Sequence, residues 1–435
     1  MKLDPSLRGD RGVHDRLWSA LSAGIASSKP TTPCARNRPV GMQALSGRRT
    51  TSDHCIRVAA VCLLALALLS SCACPLSGVE PPTEFAGLLL PGQTEAVPVV
   101  YATNRKPLTE PPDADPCEHG WYGPDRNSEV LTGLAIAEVT AFGKALYPFV
   151  SSVSERNEST GELVTRSMNL HGSEALIYVH GFSTTFQEGI ATAALLGRLL
   201  DASIIPIAFS WPAGVPTIWI GSAYLAERES ADLSVPAFKD MLRELCSTEG
   251  LSRVHLVGHS TGCWLICRAL EELAMEGNPL GMGPGRIGEV ILAAADIDLD
   301  VFKTRFLPHV HKPLADRISI YINLDDHVLG ISSILRASVA PRIGQIDLSD
   351  SSHGIATSGI ELIDVTRVRN KPNMGHSYLI SSQPVCRDVI AILKGATGEM
   401  RNLTPGPAPH SFIMEDDEPD TTPSDTRFYH GPRGR

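Results

Sequence analysis

Gly258-His259-Ser260-Thr261-Gly262 sets a serine between two glycines. A serine hydroxyl is a weak nucleophile until a base takes its proton and the backbone holds it clear of its neighbours. The five-residue string is weak evidence alone, because an inert Gly/Ser turn reads the same way. Its flanks make it informative. Arg253–Val257 has the apolar, β-branched look of a strand, and Cys263–Leu270 reads as a helix. Strand, serine turn, helix is the arrangement of a nucleophile elbow. The glycines permit the tight turn, and the helix N-terminus favours negative charge developing beside it. The chemistry that follows is acyl transfer: attack on a carbonyl, an oxyanion intermediate, and release of the acyl group to water.

Such a serine needs a base, an acid and two oxyanion donors. Histidines follow it in the body of the chain at 309, 311, 327, 353 and 376. The base belongs after the last strand. Glu361–Val365 reads as that strand, His353 precedes it, and His376 follows it. The acid belongs in the turn after the preceding strand, where Asp325 and Asp326 stand. Asp326 is preferred, with Asp325 and Asp296 as alternatives. Asp298 has a plainer use as a helix N-cap. One oxyanion N–H comes from the residue after the nucleophile, Thr261. The other comes from the loop after an earlier strand, at Phe182 in Val179-His180-Gly181-Phe182. Both act through backbone, and His180 reads as a structural pin for that loop. No metal or organic cofactor is needed.

The elements that must position these residues alternate. Strands are expected at Val97–Tyr101, Leu134–Thr140, Ala175–His180, Ile204–Phe209, Arg253–Val257, Glu289–Ala294, Ile318–Leu324 and Glu361–Val365. Helices are expected at Thr185–Leu200, Tyr224–Cys246, Thr261–Glu276, Val328–Ala337 and Tyr378–Leu393. Several strands are continuously apolar, as strands buried on both faces are. The alternation predicts an α/β fold: a mostly parallel, eight-stranded sheet with helices on both faces. Ligand chemistry in such sheets sits at the carboxyl ends of the strands. The apolar segment from Trp211 to Ile220 follows one such end and could line an acyl pocket or simply pack.

Composition bounds the rest. The chain has 435 residues, 43% hydrophobic and 20% charged, which excludes collagen-like, disordered and multi-spanning membrane classes. A net charge of −10 gives no basic footprint for nucleic acid. The charge is uneven: residues 1–57 hold ten Lys/Arg against four Asp/Glu. Val58–Leu69 is then an apolar run too short to span a bilayer, in the pattern of a signal-peptide core. Leu69-Ser70-Ser71-Cys72 resembles the bacterial lipobox, which implies cleavage before Cys72 and acylation of that cysteine. The expected partners are a small acyl-ester substrate and, through lipidated Cys72, a membrane. The expected location is the cell envelope, periplasmic or on an outer membrane surface. The organisation is then an extension and signal at 1–71 (with Met42 an alternative start), a tether at 72–96, a folded domain at 97–395, and a disordered acidic, Pro-rich tail at 396–435. Ten cysteines show no spacing that names a disulfide or a zinc site.

Several segments together resemble a bacterial branch of the α/β-hydrolase superfamily, long catalogued as uncharacterised and described as esterase- or lipase-like. They are Val100-Tyr101-Ala102-Thr103-Asn104-Arg105, Val179-His180-Gly181-Phe182, Phe209-Ser210-Trp211-Pro212, Arg228-Glu229-Ser230-Ala231, Gly258-His259-Ser260-Thr261-Gly262, Ala295-Asp296-Ile297-Asp298 and Gly375-His376-Ser377. The resemblance implies an α/β-hydrolase fold and carboxylic-ester hydrolysis. The family's acid follows a Tyr-led strand, and Tyr321-Ile322-Asn323-Leu324-Asp325-Asp326 puts it at Asp326, with Asp325 where Asn is usual. The alternatives are a catalytically silent binding protein of the same fold tethered at the envelope, and a serine peptidase or thioesterase.

Overall fold

The computed structural model describes residues 90, 92–108, 121–142, 145–169, 171–200, 203–214, 220–277, 286–310, 314–350, 354–355, 360–369, 371–401 and 403–416. The expected signal segment, the Met42 start, Cys72 and most of the tether lie outside the described residues, as does residues 215–219 of the apolar loop.

Eleven strands form one sheet: β1 (Thr94–Pro107), β2 (Tyr122–Phe142), β3 (Ala145–Arg156), β4 (Glu174–Val179), β5 (Ile204–Ser210), β6 (Arg253–His259), β7 (Ile287–Ala293), β8 (Ala315–Ile322), β9 (Glu361–Asp364), β10 (Thr404–Pro405) and β11 (Ser411–Ile413). Six helices matter to the argument: α1 (Thr160–Ser167), α2 (Phe186–Leu199), α3 (Ile220–Ser247), α4 (Thr261–Met275), α5 (His327–Leu335) and α6 (Gln383–Leu393). The order across the sheet is β10-β11-β9-β8-β7-β6-β4-β5-β1-β2-β3. The strands from β1 to β11 within that order all run parallel to their neighbours. Antiparallel strands flank them, β2 and β3 at one edge and β10 at the other.

Period-two side chains divide the core. Ile177, Ile207, Leu256, Val290 and Ile320 face α1, α3 and α4; Tyr178, Ala208, Val257, Ile291 and Tyr321 face α2 and α6. Both sheet faces are therefore covered, which explains why β5 and β7 are mostly apolar and buried at every position. Local signals set the helix starts. Thr185 caps α2 in a reciprocal box with Glu188, each side chain taking the other residue's backbone N–H.

The sheet differs from the eight-stranded expectation in membership. Leu134–Thr140 is the later part of long β2, which is antiparallel. The last parallel place belongs to β11, from a segment expected to be a disordered tail. Residues 396–401 and 403–416 are folded because remote partners hold them. Ser411–Ile413 pairs with Leu362–Asp364, and the Arg401 guanidinium is buried between Glu361 and Asp388.

The chain order reverses between β4 and β6, because β5 packs on one side of β4 and β6 on the other. A crevice forms outside the carboxyl ends of such a pair. β4 ends at Val179 and β6 at His259, so the loops carrying Phe182 and Ser260 open at that crevice. Among the described residues no helix is long and apolar enough to cross a membrane. Cys246, Cys263, Cys267 and Cys386 are free and buried.

Candidate active site

Ser260 lies between the end of β6 and the first turn of α4, with φ 53° and ψ −118°. A residue with a Cβ rarely adopts that conformation, and the surroundings enforce it. Ser260 N donates to Ala293 O at 3.0 Å, and Asp296 N donates back to Ser260 O at 3.3 Å. The side chain makes no capping bond to the helix behind it. Gly262 is required by close approach: a Cβ there would lie 2.2 Å from Val179 O. The glycine lets α4 start hard against the end of β4.

Asp326 and His376 meet. Asp326 is fully buried at the start of α5, where Oδ1 accepts from Leu329 N at 3.0 Å. Its Oδ2 accepts from His376 Nδ1 at 2.8 Å. With Nδ1 donating, Nε2 carries the lone pair of the neutral ring, the tautomer a general base needs. Burial disfavours the charged ring, but the adjacent carboxylate outweighs it and holds the His376 pKa above 6.5. His376 also sits against Ser260's neighbour: its ring centroid is 4.8 Å from that of His259, whose Nε2 donates to His376 O at 3.2 Å. Burial, with His376 next, keeps His259 neutral.

The two alternative acids lie elsewhere. Asp325 is exposed. Asp296 is buried close behind Ser260, but its carboxylate accepts from Tyr224 OH and from Ser332 Oγ and pairs with Arg342 at 3.2 Å. Burial pushes its pKa up, and Arg342 and Arg228 more than offset that, so it stays ionised. Asp298 caps the short helix Leu299–Val301.

The two expected oxyanion donors stand free. Neither Phe182 N–H nor Thr261 N–H donates to a protein acceptor among the described residues. Thr261 opens α4, where the first N–H groups have no intrahelical partner. Phe182 follows β4, its ring edge-on to Tyr224 at 5.8 Å. The loop before it is pinned by His180. Its Nδ1 donates to Gly181 O at 3.0 Å, and its Nε2 faces Arg105 Nη2 at 3.2 Å. Burial, reinforced by Arg105, keeps that ring neutral. Trp211 stacks on His180 and donates to its carbonyl at 2.9 Å, so at this position the apolar loop packs as a prop for the turn.

Several contributors escape sequence reading. Asn323, between β8 and Asp325, donates to Gly375 O at 2.6 Å. Tyr378 OH donates to Tyr321 O at 3.0 Å and accepts from Ala294 N at 2.7 Å, tying β8, β7 and the His376 loop together. Arg105 is buried beneath the Phe182 loop. No spacing in the sequence signals these roles, because each acts across tens of residues. Among the described residues, no group of three His, Cys, Asp or Glu side chains could hold a metal ion.

A family model described as "Alpha/beta hydrolase of unknown function (DUF900)" matches residues 155–394. No curated protein matches the chain. Similar solved structures include esterase B from Lactobacillus rhamnosis HN001, at 10% identity and TM-score 0.37, covering 79% of this chain and 95% of that one. An esterase of Pyrococcus furiosus shows 12% identity and TM-score 0.27, covering 61% and 85%. The rice cell wall degrading esterase LipA from Xanthomonas oryzae shows 10% identity and TM-score 0.23, covering 66% and 79%. The family match spans more than half of the chain, from the end of β3 to the end of α6, and includes Ser260, Asp326 and His376: the chain belongs to this family of α/β hydrolases of unknown function.

Proposed function

We propose that this chain is a serine hydrolase of carboxylic esters, working through an acyl-enzyme. The observation that carries the reading is the His376–Asp326 pair, 2.8 Å apart, with the His376 ring packed on His259, the residue before a serine held at φ 53°. His376 Nε2 takes the Ser260 proton as Oγ attacks the ester carbonyl. The carbonyl oxygen becomes an oxyanion held by Phe182 N–H and Thr261 N–H. Asp326 orients the ring and stabilises the imidazolium. The C–O bond then breaks, and His376 returns the proton to the departing alcohol. Water repeats the sequence on the acyl-enzyme, releasing the acid and restoring Ser260. Asp296, saturated by Arg342, Tyr224 and Ser332, serves as a structural anion.

The test is labelling of the purified chain with a fluorophosphonate, with Ser260→Ala as control and peptide mapping as readout. Label on Ser260, absent from the variant, supports the reading. A folded wild type that takes no label overturns it. Esters, thioesters and amides of one acyl group then rank the leaving groups. We also propose that Cys72 carries a lipid anchor. Cys72→Ser should move the protein from the membrane to the soluble fraction, and an unchanged distribution would sink that idea.

A further inference from the structure

We infer that Arg105 and Glu227 form a buried brace that positions the Phe182 N–H as an oxyanion donor. The inference rests on the ester-hydrolase reading and adds two positioning residues to it. Both lie far from Phe182 in sequence, one in β1 and one in α3. Both are buried, at 0% and 1% exposure. Burying a charge on each side of a loop is costly unless each is satisfied, and here the loop supplies part of what satisfies each.

Arg105 works from below. Its Nη2 donates to Thr184 O at 2.7 Å and faces His180 Nε2 at 3.2 Å, gripping the turn on both sides of Phe182. Its Nε donates to Ser210 Oγ at 2.8 Å, and Nη1 to Ala213 O at 2.7 Å. One guanidinium thus fixes the ends of β4 and β5 relative to each other. Glu227 works from the helix side. Its Oε2 accepts from Ser183 N at 2.7 Å and its Oε1 from Gly214 N at 2.9 Å.

The Ser183 contact is the informative one. Ser183 follows Phe182 directly and has φ 56°, a left-handed conformation that a serine does not hold without help. In that conformation its N–H turns to Glu227, while the N–H one residue earlier is left without a protein acceptor. Without the carboxylate, Ser183 would relax to negative φ and swing the Phe182 N–H. An oxyanion donor loses its value when it moves, because its contribution depends on being aimed before charge develops. A displacement of about 1 Å can cost about 100-fold in rate.

The test uses Glu227→Gln and Arg105→Lys in the full chain, against a wild type shown to label at Ser260. Glu227→Gln keeps the side-chain shape but leaves one acceptor oxygen for two N–H groups. Arg105→Lys keeps the charge and loses the fork. Expected for each is a fall of about 10- to 100-fold in kcat per labelled site, with KM within about threefold and the acid limb of the pH profile unmoved. A trifluoromethyl ketone, whose adduct carries the oxyanion, should bind more weakly in proportion to the fall in kcat/KM. Full kcat per labelled site in a folded variant overturns the brace. Should one variant fail to fold, the other carries the same test. A wild type that never labels overturns the hydrolase reading instead, so the two failures are distinct.

Discussion

Asn323 Nδ2 donates to Gly375 O at 2.6 Å, joining the loop that carries Asp326 to the loop that carries His376. The same amide's Oδ1 accepts from Asp325 N at 3.2 Å and from Lys371 Nζ at 3.0 Å. The clip matters because the histidine loop is strained. Asn373, Met374 and Gly375 have φ of 52°, 58° and 87° in succession. Such a run persists only where its surroundings over-determine it. Asn323→Ala should lower kcat by about 10- to 100-fold while KM changes little, because the base drifts and the binding surface does not. Steady-state kinetics on a folded variant decides it, and wild-type kcat would show that the loop holds itself.

The pH profile should follow from the raised His376 pKa. In the proposed mechanism the base acts as the neutral ring, so kcat/KM should fall in acid with a midpoint above the ordinary imidazole value. Asp326→Asn removes the anion that opposes burial. The acid limb should then move to lower pH as the rate falls by about 10,000-fold. The stability linkage has the same origin. A histidine with a raised folded pKa contributes stability below its unfolded pKa and loses it as pH rises through the folded value. The stability gap between wild type and Asp326→Asn should therefore be wider at about pH 5.5 than at about pH 9. A gap independent of pH would mean that the ring is not held protonated by this carboxylate.

Asp296 offers a contrast with Asp326. Its charge neutralises Arg342, and both are nearly inaccessible, at 3% and 2% exposure. Asp296→Asn should cost about 3–5 kcal/mol, the usual loss when one partner of a buried pair is removed. Its folded fraction should keep kcat within about tenfold, because its proton-transfer partners are intact. Urea denaturation with active-site titration separates the two effects. A stable but inactive Asp296→Asn would make Asp296 the acid.

How much was legible in sequence follows from how local each signal is. β6, Ser260 and α4 are contiguous, so an apolar strand, a Gly-x-Ser-x-Gly turn and a helical run announce one another. The contact between Asp326 and His376 was reachable because Asp326 closes the turn after β8 and His376 follows β9. β3 was missed because Ala145–Arg156 is a sheet edge, alternating buried and exposed positions with serines and no long apolar run. β10 and β11 are two and three residues long, and only their pairing makes them strands. The acidic stretch that read as a solvated tail spends two of its charges on the sheet edge, Glu415 on Arg367 and Asp416 on Arg369. Arg105, Glu227 and Asn323 were invisible for the same reason: their partners are set by topology, not by spacing.

Truncation after Gly395 tests the folded C-terminal segment. It would remove β10, β11 and Arg401, whose Nη2 donates to Glu361 Oε2 at 2.6 Å and whose Nη1 donates to Asp388 Oδ2 at 3.3 Å. Buried Asp388 would lose its paired cation, Glu361 would keep only Arg317 at 3.5 Å, and the edge of β9 would open to solvent. The truncated chain should lose about 3–5 kcal/mol and aggregate more readily than the full chain. Denaturant midpoints and light scattering measure both, and equal midpoints would return the segment to the status of a tail.

Ser260 itself should be a site of stored strain. Its φ of 53° and ψ of −118° favour glycine, and such a conformation costs a residue with a Cβ about 1–3 kcal/mol. Ser260→Gly removes the clash and offsets part of the gain with greater freedom in the unfolded chain, worth about 0.4–1 kcal/mol. The net should be a melting temperature higher by about 2–4 °C. Ser260→Ala keeps the Cβ and therefore the strain, so it should melt near the wild type. Both variants lose the Ser260 hydroxyl. A difference between them in calorimetry therefore reports backbone geometry alone, and equal melting temperatures would mean that the turn around Ser260 holds no strain.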